Sequence, residues 1–119
     1  MTYKYLASPY MDKDPAIMLE RFTAAQNCLA WLLKHKIWTY SPIVHYHQLA
    51  LDYDLPPDHE FWLDYDRAMI LSSDGVYVLC ISGCKESRGV TGEIEFAKTK
   101  NLSITYVWPV HGNGYLLSP

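Results

Sequence analysis

Glu93 is the first residue whose type and position could do chemistry. It ends the segment 86–93, ESRGVTGE, a polar stretch with two glycines that opens a predicted helix after an apolar run. A helix start presents free backbone N–H groups and a partial positive charge, so Ser87, Arg88 and Gly89 are expected to contact a phosphate. A carboxylate in the first helical turn is expected to keep a low pKa and to act as an ionised nucleophile or base. The alternative is that Glu93 only stabilises the helix dipole.

Asp66 is the second candidate, because its helical neighbours are apolar. On a helix that starts near Asp58, the residues three and four positions away are Trp62, Met69 and Ile70. A carboxyl on such a face either pairs with a buried donor or faces a pocket where a raised proton affinity suits general acid catalysis. Both explanations remain open from the sequence.

Two histidines and two tyrosines are further candidates. We interpret His45 and His47 as alternating along an extended segment, which would place both on one side, where they could ligate a metal; a position at a pocket edge and an ordinary place in a loop are the alternatives. A third metal ligand cannot be identified, so no metal site is predicted. Tyr5, on the first strand, and Tyr10, just beyond its end, could lie over a ribose or base, and packing in the core is the alternative.

Alternating apolar runs and helical patterns predict the elements that position these residues. The expected order is strand 3–7, helix 15–35, strand 37–40, helix from near 58 to 71, strand 76–81, helix 89–100, strand 104–107 and a short last strand 115–117, with a turn at 111–114. Such an alternation is typical of an α/β fold with a mainly parallel sheet and right-handed crossovers. Ligands bind at the carboxyl ends of its strands, where Ser8 and the segments 41–43 and 82–89 lie.

Composition limits the class of protein. A chain of 119 residues suits a single domain over 1–119, and a net charge of -3 without charge runs argues against a nucleic-acid partner. No apolar stretch approaches the length of a membrane span, and the first residues lack a signal-peptide pattern. The three cysteines have no CxxC spacing, which favours reduced thiols. We therefore expect a cytoplasmic protein without a membrane partner.

Three segments together resemble one known superfamily. The segment 5–10, YLASPY, resembles the YLAGPF-type opening of the nucleoside 2-deoxyribosyltransferases, and Asp66, eight residues before the segment 74–76, resembles their aspartate segment. The segment 87–93 resembles the S-x-G-V-x-x-E stretch of the related 2'-deoxynucleoside 5'-phosphate N-hydrolases. The resemblance covers most of residues 3–107 in the same order.

The resemblance implies a flavodoxin-like or Rossmann-like three-layer sandwich with four to five strands. It implies that Glu93 attacks or assists at the anomeric carbon, that Asp66 handles the leaving base, and that Tyr5 orients the glutamate. It also implies a homodimer or higher homo-oligomer. No cofactor or metal is expected. The expected substrate contacts are Ser8, Tyr10, His45, Ser87, Arg88 and Gly89.

The sequence thus predicts an enzyme that cleaves, or exchanges the base at, the N-glycosidic bond of a nucleotide or a deoxynucleoside. A nucleoside 5'-monophosphate is the favoured substrate, because Ser87, Arg88 and Gly89 suit a phosphate at a helix start. Hydrolysis and transfer both remain open. A non-catalytic module that binds or senses a nucleotide is the alternative, and a structural or interaction protein is a third. Only the enzyme predicts that Glu93→Gln keeps binding but loses activity.

Overall fold

A computed structural model of the chain describes residues 2–112 and 114–119, which form four helices and five strands. Their order is β1 (Lys4–Ala7), α1 (Pro15–Lys34), β2 (Thr39–Tyr40), α2 (Pro42–Asp52), α3 (His59–Ser72), β3 (Val76–Leu79), α4 (Arg88–Thr99), β4 (Ile104–Val110) and β5 (Gly114–Ser118). None of these helices is long and apolar enough to span a lipid bilayer.

The strands form one sheet in the order β2-β1-β3-β4-β5. The first four strands run parallel, and β5 pairs antiparallel with β4. This order is that of flavodoxin-like doubly wound sheets, in which the ligand crevice lies between the carboxyl ends of β1 and β3. The predicted mainly parallel α/β sheet is confirmed.

Alternate residues of the central strands feed two separate cores. Val76 and Val78 of β3 pack with Ile70 of α3 on one face, whereas Leu79 packs with Leu32 of α1 on the other. All four residues of β3 are buried, as expected for a strand covered on both faces. The sheet therefore lies between two helical layers.

Local capping explains where the helices begin. The carboxylate of Asp14 accepts a hydrogen bond from the Ala16 backbone N–H at 2.9 Å, and Pro15 follows in the first turn of α1. Asp58 caps α3 in the same way by accepting from the Phe61 N–H at 3.3 Å. Both starts confirm the helices predicted from these aspartates.

The segment after β2 differs from the prediction, because it forms helix α2 rather than an extended loop. The Ser41 hydroxyl accepts a hydrogen bond from the Val44 N–H at 3.2 Å, and Pro42 occupies the first helical position. The buried residues of α2 then recur at helical spacing: Pro42, Ile43, Tyr46, His47 and Ala50. Residues two apart on a helix point about 200° apart, so the prediction that His45 and His47 share one side is wrong.

Strand ends also differ slightly from the sequence pattern. Strand β2 is limited to two residues, and β3 ends at Leu79. In contrast, β4 continues to Val110, because the returning strand pairs Val110 with Gly114. Asn113, part of the turn predicted at 111–114, lies outside the described residues.

Candidate functional site

A cavity of about 500 Å³ opens where the chain leaves β1, β2 and β3. The starts of α2, α3 and α4 complete its walls. Most of the predicted site residues line it: Ser8, Tyr10, Asp66, Ser87, Arg88, Gly89 and Glu93. The carboxyl edge of the sheet therefore brings together residues up to 85 positions apart in the sequence.

Tyr5 holds Glu93 from beneath the cavity. Its side chain points from β1 into the core, and its hydroxyl donates a hydrogen bond to Glu93 Oε2. Burial and the nearby carboxyls of Glu93 and Asp66 raise the pKa of Tyr5 well above its usual value, so the hydroxyl keeps its proton. This geometry is the one expected of a residue that orients the glutamate.

Glu93 lies deeper in α4 than predicted. It is the sixth residue of a helix that begins at Arg88, and its side chain is 8% exposed. Burial, opposed by the Tyr5 hydrogen bond and aided by the nearby Asp66 carboxyl, raises the pKa of Glu93 to about 8. The prediction of a first-turn carboxylate with a low pKa is wrong, because the helix dipole acts most strongly within the first turn while desolvation acts on the whole buried group.

Asp66 faces the same cavity from α3. The side chain is 4% exposed, and its Oδ1 has no hydrogen-bond partner among the described residues. Burial raises the pKa of Asp66 to about 7. Of the two explanations left open by the sequence, a carboxyl at a pocket fits these observations better than a carboxyl paired with a buried donor.

Asp66 and Glu93 thus form a pair of buried acids on one cavity. Burial disfavours the charged form of each, and the Asp66 charge further disfavours ionisation of Glu93. Two such groups lose their protons in coupled steps that belong to the pair. Near neutral pH the pair can therefore hold one proton, which leaves one group as an acid and the other as a base or nucleophile.

Ser87 caps the N-terminus of α4. The Ser87 hydroxyl accepts a hydrogen bond from the Val90 N–H at 3.1 Å, and the Ser87 carbonyl accepts one from the Thr91 N–H at 3.0 Å. Arg88 is exposed, and it makes no ion pair among residues 2–112 and 114–119. The first two N–H groups of α4, on Arg88 and Gly89, are the ones left for a ligand.

His59 is a cavity residue that the sequence reasoning missed. It begins α3, and its Nδ1 lies 3.4 Å from the position that a Cβ on Gly89 would occupy. Its Nε2 lies 3.8 Å from the corresponding position at Gly92. Gly89 and Gly92, three apart on α4, therefore leave room for the imidazole. His59 lies two helical turns before Asp66 on α3, and this spacing could have indicated that the two side chains share a face.

Tyr10, His45 and His47 have different positions. The Tyr10 hydroxyl lies 2.5 Å from His47 Nδ1, and the His47 ring stacks on Phe22 with centroids 4.1 Å apart. Burial lowers the pKa of His47, which favours a neutral ring. His45 is exposed and lies 3.2 Å from the Tyr65 hydroxyl, outside the cavity lining, so the structure does not support it as a substrate contact.

An apolar wall closes the side of the cavity formed by α2. Ile43 and Tyr46 face the cavity, and Tyr46 stacks on Trp62 with centroids 4.2 Å apart. Ser8, another residue of the lining, is buried, and its Oγ has no hydrogen-bond partner among the described residues. The cavity thus combines apolar side chains with polar atoms that are free to bind a ligand. The sequence pattern predicts an extended 43–47 segment, so it does not place Ile43 and Tyr46 on one wall.

The residues that the structure describes contain no group of three or more His, Cys, Asp or Glu side chains placed to hold a metal ion. A comparison with curated proteins gives no match. A family model described as "Domain of unknown function (DUF1937)" matches residues 2–108, which include every residue of the cavity. The chain therefore belongs to the DUF1937 family.

Proposed function

We propose that this protein cleaves, or exchanges the base at, the N-glycosidic bond of a nucleoside or a nucleoside 5'-monophosphate. The observation that carries the proposal is the pair of buried carboxyls, Asp66 and Glu93, on one cavity of about 500 Å³. Glycosidic bonds are cleaved by two such groups, one stabilising an oxocarbenium-like centre and the other protonating the leaving group. The resemblance of the segments 5–10 and 87–93 to nucleoside-cleaving families supports the same chemistry.

In this proposal Glu93 acts at the anomeric carbon. Its carboxylate form is needed there, and the positive charge that develops on the sugar as the base departs favours that form. The Tyr5 hydroxyl already donates to Glu93 Oε2 before substrate binds, so it holds the carboxyl in place throughout. Tyr5 is then a positioning residue, because its contact is with Glu93.

Asp66 supplies the proton. The Glu93 carboxylate forms a bond to the anomeric carbon while the bond between that carbon and the base nitrogen breaks; the electron pair of the broken bond goes to the base, and the proton of Asp66 neutralises it. Water, or a second base in a transfer reaction, then attacks the same carbon, releases Glu93 and returns a proton to Asp66. The reaction balances without a redox step or a cofactor.

The remaining walls suit the rest of the substrate. Tyr46 and Ile43 offer an apolar surface for the ring of the base, and the unpartnered Ser8 Oγ is available for a sugar hydroxyl. The first N–H groups of α4, beside Ser87 and Arg88, are the positions available to the 5' end. We further propose a cytoplasmic protein that acts as a homodimer or higher homo-oligomer.

The test is base release from nucleosides, nucleoside 5'-monophosphates and NAD, followed by chromatography with and without an acceptor base. Glu93→Gln is expected to retain binding but lose about 10²- to 10⁴-fold in rate. Glu95→Gln, an exposed position on the same helix, is the matched control and should keep full activity. No release from any compound by the natural protein would contradict the proposal. Thermal stabilisation without release would instead support a non-catalytic nucleotide-binding module.

A further inference from the structure

The mouth of the cavity carries more acidic than basic side chains. Asp58, Glu60 and Glu86 are exposed acidic residues in its lining, in addition to the two buried carboxyls. Against them stands Arg88, which alone among the described residues of the lining carries a permanent positive charge. A ligand that enters this cavity therefore passes a region of net negative charge.

The helix start beside Arg88 does little to offset that charge. A helix N-terminus carries about half a positive charge. On α4, the N–H groups of Val90 and Thr91 already bond to Ser87, which leaves those of Arg88 and Gly89 for a ligand. The Arg88 guanidinium and the helix dipole together are thus outweighed by three acidic side chains. A phosphate dianion is repelled by this balance at the mouth.

The interior of the cavity points to a neutral ligand. Ser8 Oγ and Asp66 Oδ1 are polar atoms of side chains more than nine-tenths buried, and neither has a partner among the described residues. Both can accept hydrogen bonds from hydroxyl or amino groups. Tyr46 provides an apolar face beside them. These features match a ring and a sugar without adding a positive charge for a phosphate.

We infer that Glu60 and Glu86 are specificity-determining residues that exclude phosphorylated ligands, so that the cavity takes a nucleoside in preference to its 5'-monophosphate. The inference rests on the proposed function for the reaction itself. It differs from the expectation that Ser87, Arg88 and Gly89 hold a phosphate, because that expectation considered the helix start without the acidic side chains that share its cavity lining. Asp58 contributes to the same charge but also caps α3, so it is unsuited to a test.

The experiment compares kcat/KM for one nucleoside and its own 5'-monophosphate. The natural protein is expected to prefer the nucleoside by about tenfold or more at low salt. The double variant Glu60→Gln/Glu86→Gln should reduce this ratio several-fold, and raising the salt should reduce it in the natural protein, because salt screens exposed charges. Glu95→Gln removes the same charge from the far side of α4 and should leave the ratio unchanged.

In the kinetic experiment, three outcomes would overturn the inference: equal or faster cleavage of the monophosphate, an unchanged ratio in the double variant, or a monophosphate preference when Mg²⁺ replaces a chelator. The last would mean that the acidic side chains recruit a cation for the phosphate. If neither compound is cleaved, the proposed reaction fails, and thermal stabilisation by the two compounds measures the preference instead. Stabilisation by the monophosphate alone, or by neither compound, would also overturn the inference.

Discussion

At the scale of single residues, burial controls the charge of the two carboxyls. Glu93 and Asp66 lie in a cavity wall where few groups replace the water that would solvate a carboxylate. Their pKa values rise to about 8 and about 7, whereas the exposed Asp74, which accepts a hydrogen bond from Thr2, has a lowered pKa. A carboxyl pKa is therefore raised at the buried positions and lowered at the exposed, hydrogen-bonded position.

The raised values predict a narrow pH optimum. With one proton required on the pair, kcat/KM should rise as the first carboxyl ionises near pH 7 and fall as the second ionises near pH 8. Asp66→Asn should be slower and should lose the falling limb, because it lacks the acid. Asp64→Asn, at an exposed position on the same helix, should keep both the rising and the falling limb of the pH profile. A flat profile over pH 5–9 in the natural protein would contradict this assignment.

Burial of Glu93 also predicts how stability depends on pH. Since its folded pKa lies above its unfolded value, the folded state holds the proton more tightly, and this contribution is complete below about pH 4.5 and lost as the pH rises to about 8. Glu93→Gln removes this pH-dependent loss of stability, because glutamine does not titrate. The free energy of unfolding of the variant, relative to the natural protein, should therefore rise by up to about 1.4 kcal/mol per pH unit across that range. Urea unfolding measures it, Glu95→Gln is the control, and a constant difference would exclude the effect.

At the scale of elements, α4 must satisfy two requirements at once. One face carries Val90 and Ala97 into the core, and the glycine-bearing face leaves room for His59. Glycine weakens a helix interior by about 1 kcal/mol relative to alanine. The helix therefore gives up stability at the position where the histidine enters.

Gly92→Ala tests how much room the helix leaves. A Cβ at Gly92 meets only His59 Nε2, at an ordinary contact distance of 3.8 Å, so the substitution should raise the free energy of unfolding by up to about 1 kcal/mol. Gly83→Ala is the contrasting variant, because its φ of +91° strains any residue with a Cβ and should lower stability. Urea unfolding compares the two. A loss of stability in Gly92→Ala would mean that the His59 side chain cannot move to accommodate the added methyl group.

At the scale of the whole molecule, one sheet supports both cores and the cavity. Parallel strands place their carboxyl ends at one edge, so the residues that follow β1, β2 and β3 meet there. The central strand β3 is buried on both faces and fixes the spacing of the helices around it. A defect in this strand is expected to weaken the entire fold.

Leu79→Ala tests that dependence. Leu79 is fully buried at the end of β3, and its truncation should cost about 2 to 5 kcal/mol of unfolding free energy. Leu71→Ala, on the exposed side of α3, removes the same atoms and should cost much less. Calorimetric or urea unfolding distinguishes the two, and equal losses would show that burial in β3 is not the dominant factor.

Features that depend on local patterns could be predicted from the amino-acid sequence. Asp14 and Asp58 as helix caps, the apolar run of β3 and the strand and helix alternation all follow from neighbours in the chain, and they suffice for the α/β class and the carboxyl-edge location. Tyr5, Asp66 and Glu93 were also identified from the sequence, through local spacing and the resemblance. The raised pKa values of Asp66 and Glu93 could not be predicted in this way, because desolvation depends on how α3, α4 and β1 pack together. Only the tertiary structure places His45 outside the cavity and His59 within it, since these positions depend on how helices pack against one another.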